Sequence, residues 1–271
     1  MTRIANRFAE VSGRKLLVPY ITAGDPDLET TLALMHTLVK AGADVIELGV
    51  PFSDPMADGP VIQAACERAL KNHVSLVQVM ETVRRFRETD SDTAVVLMGY
   101  MNPVERLGYA RFAELAAESG VDGVLTVDMP PEEAADLVAE LRKHELDCIF
   151  LLSPTTPDSR IRQVSDMASG YIYYVSLKGV TGAANLDTAE VAGKVAHIQS
   201  LTGTPVAVGF GIRDADSAAA VSETADAVIV GSVLVALVGE HGSEPETLHT
   251  KIFDIVNGMR LAMDAKAGVT A

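Results

Sequence analysis

Val45-Ile46-Glu47-Leu48-Gly49-Val50 is a short apolar run that a single acid interrupts. Its length and its β-branched residues are typical of a strand in a parallel sheet whose two faces are both covered. Seven further apolar runs occur along the chain, with amphipathic helical patterns between them. Because strand–helix alternation predicts parallel pairing, eight such strands favour a closed barrel. The eight predicted strands are residues 15–22, 45–50, 94–100, 123–127, 147–152, 170–176, 205–209 and 227–231.

The helical patterns complete a (β/α)8 TIM barrel of the α/β class, with an additional N-terminal helix before the first strand. No Gly/Ser-rich, Pro-rich or single-charge run interrupts the alternation, so residues 1–271 are predicted to form a single domain. Residues 51–71 and 177–187 exceed minimal connections, which predicts extended βα loops 2 and 6 on the face where barrel enzymes carry their chemistry. The predicted helices between strands are residues 28–41, 76–87, 111–119, 132–144, 160–167, 188–201 and 216–223.

The composition limits the partners that the chain can have. Lys and Arg number 22 against 37 Asp and Glu, a net charge of −15, which argues against nucleic acid and anionic membranes. The uncharged stretch 227–239 is shorter than the roughly 18 residues of a membrane span, so none is predicted. Residues 1–13 lack the apolar core of a secretory signal, which predicts a cytoplasmic location. Cys66 and Cys148 form no metal-ligand motif, so we predict buried thiols and no metal site.

Acids near the strand ends are candidates for proton transfer. Glu47 is embedded in an apolar strand, where burial would raise its pKa toward neutrality, as general acid–base catalysis requires. A structural role, in a salt bridge or at a capped strand end, is the alternative interpretation of Glu47. Asp58 lies in a loop just before Pro60, and it either caps the following helix or takes part in catalysis. Asp25 and Asp128 also follow strands and carry the same ambiguity.

Glycine turns follow the last three predicted strands. They are Gly179-Val180-Thr181-Gly182, Gly209-Phe210-Gly211 and Gly231-Ser232. Barrels frequently bind a phosphate through backbone N–H groups of the loops after strands seven and eight, together with a helix N-terminus. The three turns therefore predict a phosphate site, whereas one glycine alone indicates only a turn. Lys178 is the cation beside these turns in the sequence.

Several motifs closely resemble the tryptophan synthase α-subunit family. They are PYITAGDP (residues 19–26), ELGVPFSDP (47–55), ADGP (57–60) and GYMNP (99–103), followed in family order by the late glycine turns. The resemblance covers practically the whole chain. It implies a retro-aldol cleavage of indole-3-glycerol phosphate to indole and glyceraldehyde 3-phosphate that needs no cofactor in this chain. It also implies that Glu47 is the general acid and base, and that Asp58 accepts the indole N–H hydrogen bond as positive charge develops on the ring.

The same resemblance implies a set of substrate-binding residues. Those implied to hold the phosphate are Gly182, Gly211, Gly231 and Ser232, and those implied to line the indole pocket are Tyr20, Tyr100, Leu125, Tyr173 and Phe210. Residues 177–187 would act as a lid whose closure brings Thr181 against Asp58. Tyr20 replaces a Phe that many members carry, and Leu177 replaces an Arg that several carry.

A partner is implied as well. It is a β subunit that depends on pyridoxal phosphate (PLP), receives indole through a tunnel and joins the α subunit in an αββα heterotetramer. Residues 51–58 and 102–107 would be the contact loops, and docking would order the loop that carries Asp58.

Two other functions remain open at the level of sequence. A Schiff-base aldolase would use Lys178 to form an iminium with a carbonyl substrate, but it would leave Glu47 poorly explained. A non-catalytic allosteric barrel subunit would leave both Glu47 and Asp58 without a purpose.

Overall fold

Parallel strands form a closed barrel in the computed structural model, which describes residues 1–10, 13–176, 188–209 and 211–269. The eight strands in these ranges are β1 (Leu16–Thr22), β2 (Val45–Gly49), β3 (Ala94–Gly99), β4 (Gly123–Thr126), β5 (Asp147–Leu152), β6 (Ile172–Val175), β7 (Val206–Gly209) and β8 (Ala227–Val230). Each strand pairs in parallel with the next, and β8 pairs with β1 to close the barrel. The predicted barrel is confirmed, and every predicted strand agrees with the observed one to within two residues at either end.

Helices surround the barrel, and one precedes β1 as predicted. In the described ranges they are α1 (Arg3–Glu10), α2 (Leu28–Lys40), α3 (Pro60–Lys71), α4 (Leu76–Phe86), α5 (Met101–Leu107), α6 (Tyr109–Glu118), α7 (Ala135–Lys143), α8 (Asp158–Met167), α9 (Thr188–Thr202), α10 (Ala215–Ser222), α11 (Ser232–His241) and α12 (Pro245–Ala267). The predicted helix 132–144 is a 3-10 turn, Pro131–Glu133, followed by α7. None of the helices in the described part of the chain has the length and apolar character that crossing a membrane requires.

Two helices correct the sequence analysis. Residues 102–107 were expected as a contact loop but lie in α5. Pro103 is compatible with this helix because it falls in the first turn, where no backbone N–H is needed. The helix α12 lies beyond the eight strand–helix units and is missing from the prediction. It packs against α2 and α10, so it belongs to the outer layer of the barrel. Its buried apolar residues recur at helical spacing and are Leu248, Ile252, Val256, Met259 and Met263.

The core has two layers, one inside the barrel and one between the strands and the helices. Along β1, Leu16 and Val18 belong to the inner layer, whereas Leu17 belongs to the outer one. Successive side chains of a strand point to opposite faces, so residues two apart share a face. On β2, Val45 belongs to the inner layer, which places Glu47 inside the barrel as well.

Acids at the N-terminal ends of the strands tie neighbouring strands together. Asp44, which precedes β2, accepts the Leu17 N–H at 2.8 Å and is 1 % exposed. The guanidinium groups of Arg7 and Arg260 pair with the same carboxylate at 2.8 and 3.1 Å. The same arrangement joins Asp122 to the Val95 N–H and Asp226 to the Val206 N–H. This end of the barrel, opposite to the face that carries chemistry, is therefore built for stability.

Candidate active site

Glu47 lies in the middle of β2, and its side chain is fully buried inside the barrel. The Tyr171 hydroxyl donates a hydrogen bond to Oε1 at 3.3 Å, while Oε2 has no hydrogen-bond partner among the described residues. Burial raises the pKa of Glu47 to about 8, and the hydrogen bond from Tyr171 opposes that rise. The protonated carboxyl therefore predominates at neutral pH. Within the described ranges no cation pairs with Glu47, so the salt-bridge interpretation is not supported.

Asp58 lies in the loop between β2 and α3, and a tyrosine from the next strand holds it. The Tyr100 hydroxyl donates to Asp58 Oδ2 at 2.8 Å and accepts the Ala57 N–H at 3.0 Å. Gly59 precedes the first residue of α3, and no side chain caps this helix, so capping does not explain Asp58. Partial burial raises the pKa of Asp58, and the Tyr100 hydrogen bond opposes that rise. The loop thus presents a carboxylate whose ionised form is stabilised by a phenol.

Two tyrosines inside the barrel lie directly over glycines of the neighbouring strand. A Cβ atom at Gly49 would lie 2.5 Å from Tyr20 Cζ, and a Cβ atom at Gly209 would lie 2.5 Å from Tyr173 Cζ. No side chain larger than hydrogen fits there without moving the ring. The Tyr20 hydroxyl also shares a hydrogen bond with Thr22 Oγ1 at 3.3 Å. Each ring therefore packs against the last residue of the neighbouring strand, Gly49 of β2 or Gly209 of β7.

An open cavity of about 590 Å³ lies between Asp58 and the ends of β3 to β6. The predicted site residues Asp58 and Tyr173 line it, and so does the strand-end acid Asp128. A largely apolar pocket with a few convergent polar groups is typical of a site for a small organic ligand. Apolar residues at the strand ends also line this cavity and were not predicted from the sequence, namely Met98, Val127, Leu151 and Val175.

The other described site residues do not line this cavity. Tyr100 and Leu125 line a small adjacent void, and Tyr20 and Glu47 are buried. Several predicted residues lie outside the described ranges, namely Leu177, Lys178, Thr181, Gly182 and Phe210. The lid prediction for residues 177–187 and the Schiff-base role of Lys178 therefore stay predictions.

The turn Gly231-Ser232, predicted to bind phosphate, lies at the start of a helix. Gly231 directly precedes α11 and Ser232 is the first residue of that helix. The first N–H groups of a helix have no carbonyl partner within it, and they favour an anion. A Cβ atom at Gly231 would lie 3.4 Å from Tyr20 Cβ, so the turn adjoins the buried tyrosine. Gly211 follows the adjacent strand β7 and has φ 80°, a conformation that favours glycine.

The other two strand-end acids each form a contact with a neighbouring element. Asp25 pairs with Arg68 of α3, and Asp128 accepts the Met101 N–H at 2.8 Å, so each positions a neighbouring element. Cys66 and Cys148 are buried and free, as predicted. In the part of the chain described by the structure, no cluster of three or more His, Cys, Asp or Glu side chains could hold a metal ion.

Tyr171, the hydrogen-bond partner of Glu47, was not predicted from the sequence. It directly precedes β6, and it belongs to the same inner layer as Tyr173. Its spacing of two residues from Tyr173 was the available signal in the sequence, because residues two apart along a strand share a face. Its contact with Glu47, across the barrel interior, could not be read from the sequence.

A closed (β/α)8 barrel with a buried carboxyl, a second acid in a βα loop and a glycine turn before a helix defines a class of protein. It is the class of barrel enzymes that bind a phosphorylated substrate at the C-terminal face.

Comparisons with known proteins identify the family within this class. Residues 8–264 match the family described as tryptophan synthase alpha chain. The tryptophan synthase alpha chain of Marinobacter nauticus is 62% identical over 255 residues, which cover 94% of each chain. The crystal structure of tryptophan synthase subunit alpha from Legionella pneumophila superposes with a TM-score of 0.91 at 44% identity, covering 98% of this chain and 99% of that one. A chain of the tryptophan synthase complex from Pyrococcus furiosus superposes with a TM-score of 0.81 at 37% identity, covering 90% and 99%.

The chain belongs to the tryptophan synthase alpha chain family. It is a lyase of tryptophan biosynthesis that cleaves indole-3-glycerol phosphate to indole and glyceraldehyde 3-phosphate by a retro-aldol reaction. The non-catalytic alternative is thereby excluded.

Proposed function

We propose that Glu47 carries both proton transfers of the cleavage. Its protonated carboxyl gives a proton to indole C3, and its carboxylate then takes the proton of the hydroxyl on the carbon attached to C3. The bond between those two carbons breaks, its electron pair returns to the indole ring, and the hydroxyl-bearing carbon becomes the aldehyde of glyceraldehyde 3-phosphate. One proton is given and one is taken, so Glu47 is regenerated.

The observation that carries this assignment is the environment of the Glu47 carboxyl. Tyr171 holds one oxygen, and the other has no hydrogen-bond partner among the described residues. A buried polar atom without a partner costs free energy unless a ligand supplies one. A pKa of about 8 allows the group to give and take a proton near neutral pH. No other described acid combines these properties.

Asp58 is assigned to the indole nitrogen. Protonation of C3 places positive charge on the ring nitrogen, and a carboxylate that accepts its N–H stabilises that charge. The Tyr100 hydroxyl supports the ionised form and fixes the carboxylate at the edge of the cavity. Because the Tyr100 hydroxyl already holds the Asp58 carboxylate, little reorganisation of this acid is needed during the reaction.

The substrate-binding residues follow from the geometry and the resemblance together. The indole ring is assigned to the space bounded by Tyr20, Tyr100, Leu125, Tyr173 and Phe210. The phosphate is assigned to Gly182, Gly211, Gly231 and Ser232, with Thr181 contacting Asp58. The position of Gly231 beside Tyr20 supports a phosphate that lies next to the indole space.

The partner proposed for this chain is a PLP-dependent β subunit in an αββα heterotetramer in the cytoplasm. The similarity to a chain of the Pyrococcus furiosus tryptophan synthase complex supports this partner. The loop before Asp58 carries Met56, which is 83% exposed and offers an apolar side chain to a partner. Residues 51–58 and the helix α5 form the proposed contact. The chain itself is proposed to need no cofactor, since proton transfer by Glu47 and charge stabilisation by Asp58 suffice.

A steady-state assay of indole release tests these roles. The purified chain is assayed on indole-3-glycerol phosphate with Asp58→Asn, and with Asp54→Asn as a matched control from the same loop. Removal of one preorganised charge-stabilising group lowers kcat by about 10²–10³, so we expect that loss for Asp58→Asn and little change for the control. Adding a β subunit should raise the rate of the unmodified chain. Equal rates for the two variants would refute the assignment of Asp58.

A further inference from the structure

The helices α3 and α11 pack side by side, and each begins at one end of the proposed substrate site. Asp58 lies two residues before α3, and Gly231 directly precedes α11. The separation of Asp58 and Gly231 therefore depends on how the two helices lie against each other. The buried cluster between them consists of Ile62, Ala65 and Cys66 of α3, Val235 of α11 and Tyr20.

Arg68 extends this contact toward the C-terminal end of α3. Its Nε and Nη2 atoms donate to the two carboxylate oxygens of Asp25 at 2.8 and 2.7 Å. Asp25 follows β1 and is 2% exposed. Two parallel hydrogen bonds between planar groups fix their relative orientation more strictly than one bond between point charges. The pair therefore holds α3 against the chain that follows β1.

The same guanidinium lies against α11. A Cβ atom at Gly239 would lie 3.1 Å from Arg68 Nη2 and 3.3 Å from Cζ, so glycine at this position lets α11 approach the charged group closely. Nearby, Asn72 Nδ2 donates to the Pro26 carbonyl at 2.5 Å and adds a second link between α3 and the chain after β1. Three elements thus meet at one arginine.

We infer that Arg68 is a positioning residue that fixes the distance between the indole end and the phosphate end of the substrate site. The inference rests on the proposed function, which places the indole N–H at Asp58 and the phosphate at Gly231-Ser232. Arg68 touches neither end of the substrate. It acts through α3 and α11. Its loss therefore lets the two half-sites, the indole end at Asp58 and the phosphate end at Gly231-Ser232, shift relative to each other while each half-site stays intact.

A ligand that spans both half-sites reports this distance, and a ligand that fills one half-site does not. The affinity of a spanning ligand contains an effective-concentration contribution, which is largest when its linker matches the separation of the two sites. A displacement of about 1 Å can cost about 10²-fold in a reaction that depends on alignment. Global destabilisation, by contrast, would affect all ligands of the folded protein alike.

The experiment compares Arg68→Lys with the unmodified chain. Lysine keeps the charge beside buried Asp25 but cannot form the two parallel hydrogen bonds. The matched control is Arg85→Lys, because Arg85 also forms a two-bond pair, with Glu29, that joins α4 to α2 away from the site. The probes are indole-3-propanol phosphate, which spans the site, and glycerol 3-phosphate and indole, which each fill one end. Dissociation constants are measured by calorimetry or NMR titration.

We expect Arg68→Lys to weaken indole-3-propanol phosphate at least about tenfold while glycerol 3-phosphate and indole change less than about twofold. Arg85→Lys should change none of the three. The double variant Asp25→Asn/Arg68→Gln removes both charges together and should show the same selective loss, which makes the test independent of a buried unpaired charge.

An equal loss for all three probes, or no loss for the spanning one, overturns the inference. If the unmodified chain binds neither glycerol 3-phosphate nor indole-3-propanol phosphate, the proposed phosphate site itself is wrong, and the inference falls with it. Binding to the unmodified chain thus distinguishes failure of the proposed phosphate site from failure of the inference about Arg68.

Discussion

The Tyr171 hydroxyl lies 3.3 Å from Oε1 of Glu47, and the two side chains are fully buried on facing sides of the barrel interior. The other oxygen of Glu47 has no hydrogen-bond partner among the described residues. The two oxygens therefore differ, since Tyr171 orients the carboxyl through one of them and the other is the oxygen that the proposed proton transfer would use.

The Tyr171→Phe variant should shift the pH profile upward. The hydrogen bond from Tyr171 lowers the pKa of Glu47, so its removal raises that pKa further. The first proton transfer needs the protonated carboxyl, so the alkaline limb of kcat/KM should move to higher pH. Loss of one hydrogen bond should also lower kcat by roughly 2- to 10-fold through poorer orientation.

The matched control for that variant is Tyr174→Phe, which removes a hydroxyl from the outer face of β6, the strand that Tyr171 directly precedes. It should leave the alkaline limb in place. The same shift in both variants, or no shift in Tyr171→Phe, would count against a specific link between Tyr171 and Glu47.

The buried carboxyl should make the protein less stable as the pH rises. The pKa of Glu47 is about 8 in the folded chain against 4.5 for an ordinary Glu. Between these values the unfolded chain releases a proton that the folded chain keeps, so the free energy of unfolding falls by about 1.4 kcal/mol per pH unit from this group. The loss begins above pH 4.5 and is complete above pH 8. The free energy of unfolding, measured by urea denaturation at several pH values in this window, should fall less steeply with pH for Glu47→Gln than for the unmodified chain. An equally steep fall in both proteins would contradict the raised pKa.

Gly49→Ala should impair substrate binding. The added methyl group would overlap the Tyr20 ring, whose Cζ would lie 2.5 Å from it, and push the ring toward the substrate space. Overpacking costs about 1–3 kcal/mol of stability, and misplacement of the ring should lower kcat/KM at least about tenfold. Gly258→Ala in α12 is the control, because nothing lies within 4 Å of its added atom. Unchanged kinetics for Gly49→Ala would show that Tyr20 is not fixed by this contact.

Asp44→Asn should destabilise the barrel without altering the chemistry. The carboxylate pairs with Arg7 and Arg260 and accepts the Leu17 N–H, all at the end opposite to the site. Removing one partner from a buried ionic network typically costs about 3–5 kcal/mol. The free energy of unfolding should fall by that amount, while kcat of the folded fraction stays within about twofold because no catalytic group is touched. A large fall in kcat with unchanged stability would contradict the assignment of this end to stability.

The sequence predicted the barrel because its strands are continuous apolar runs and its helices are amphipathic. Glu47 and Asp58 stood out because an acid in an apolar strand and an acid before a helix-starting proline need an explanation. The helix α5, Met101–Leu107, was missed because the family resemblance assigned residues 102–107 to a contact loop. Its proline gave no contrary signal, because proline occurs both in loops and in the first turn of a helix.

Contacts between distant parts of the chain could not be predicted. Tyr171 and Glu47 are 124 positions apart, and Arg68 and Asp25 are 43 apart. Whether Asp58 caps a helix depends on the backbone at Gly59, which the sequence does not specify. Such facts arise from strand register and helix packing, which depend on the whole barrel.

Indole release by Glu47→Gln at neutral pH tests the central claim most directly. Glutamine keeps the size of the side chain and can accept the hydrogen bond from Tyr171, but it can neither give nor take the catalytic proton. Binding of indole-3-propanol phosphate, measured in parallel, shows that the site is intact. General acid–base catalysis contributes about 10²–10⁴-fold, so we predict a loss of at least about 10²-fold in kcat with binding retained. A Glu47→Gln variant that binds this ligand and releases indole at the unmodified rate would contradict the account.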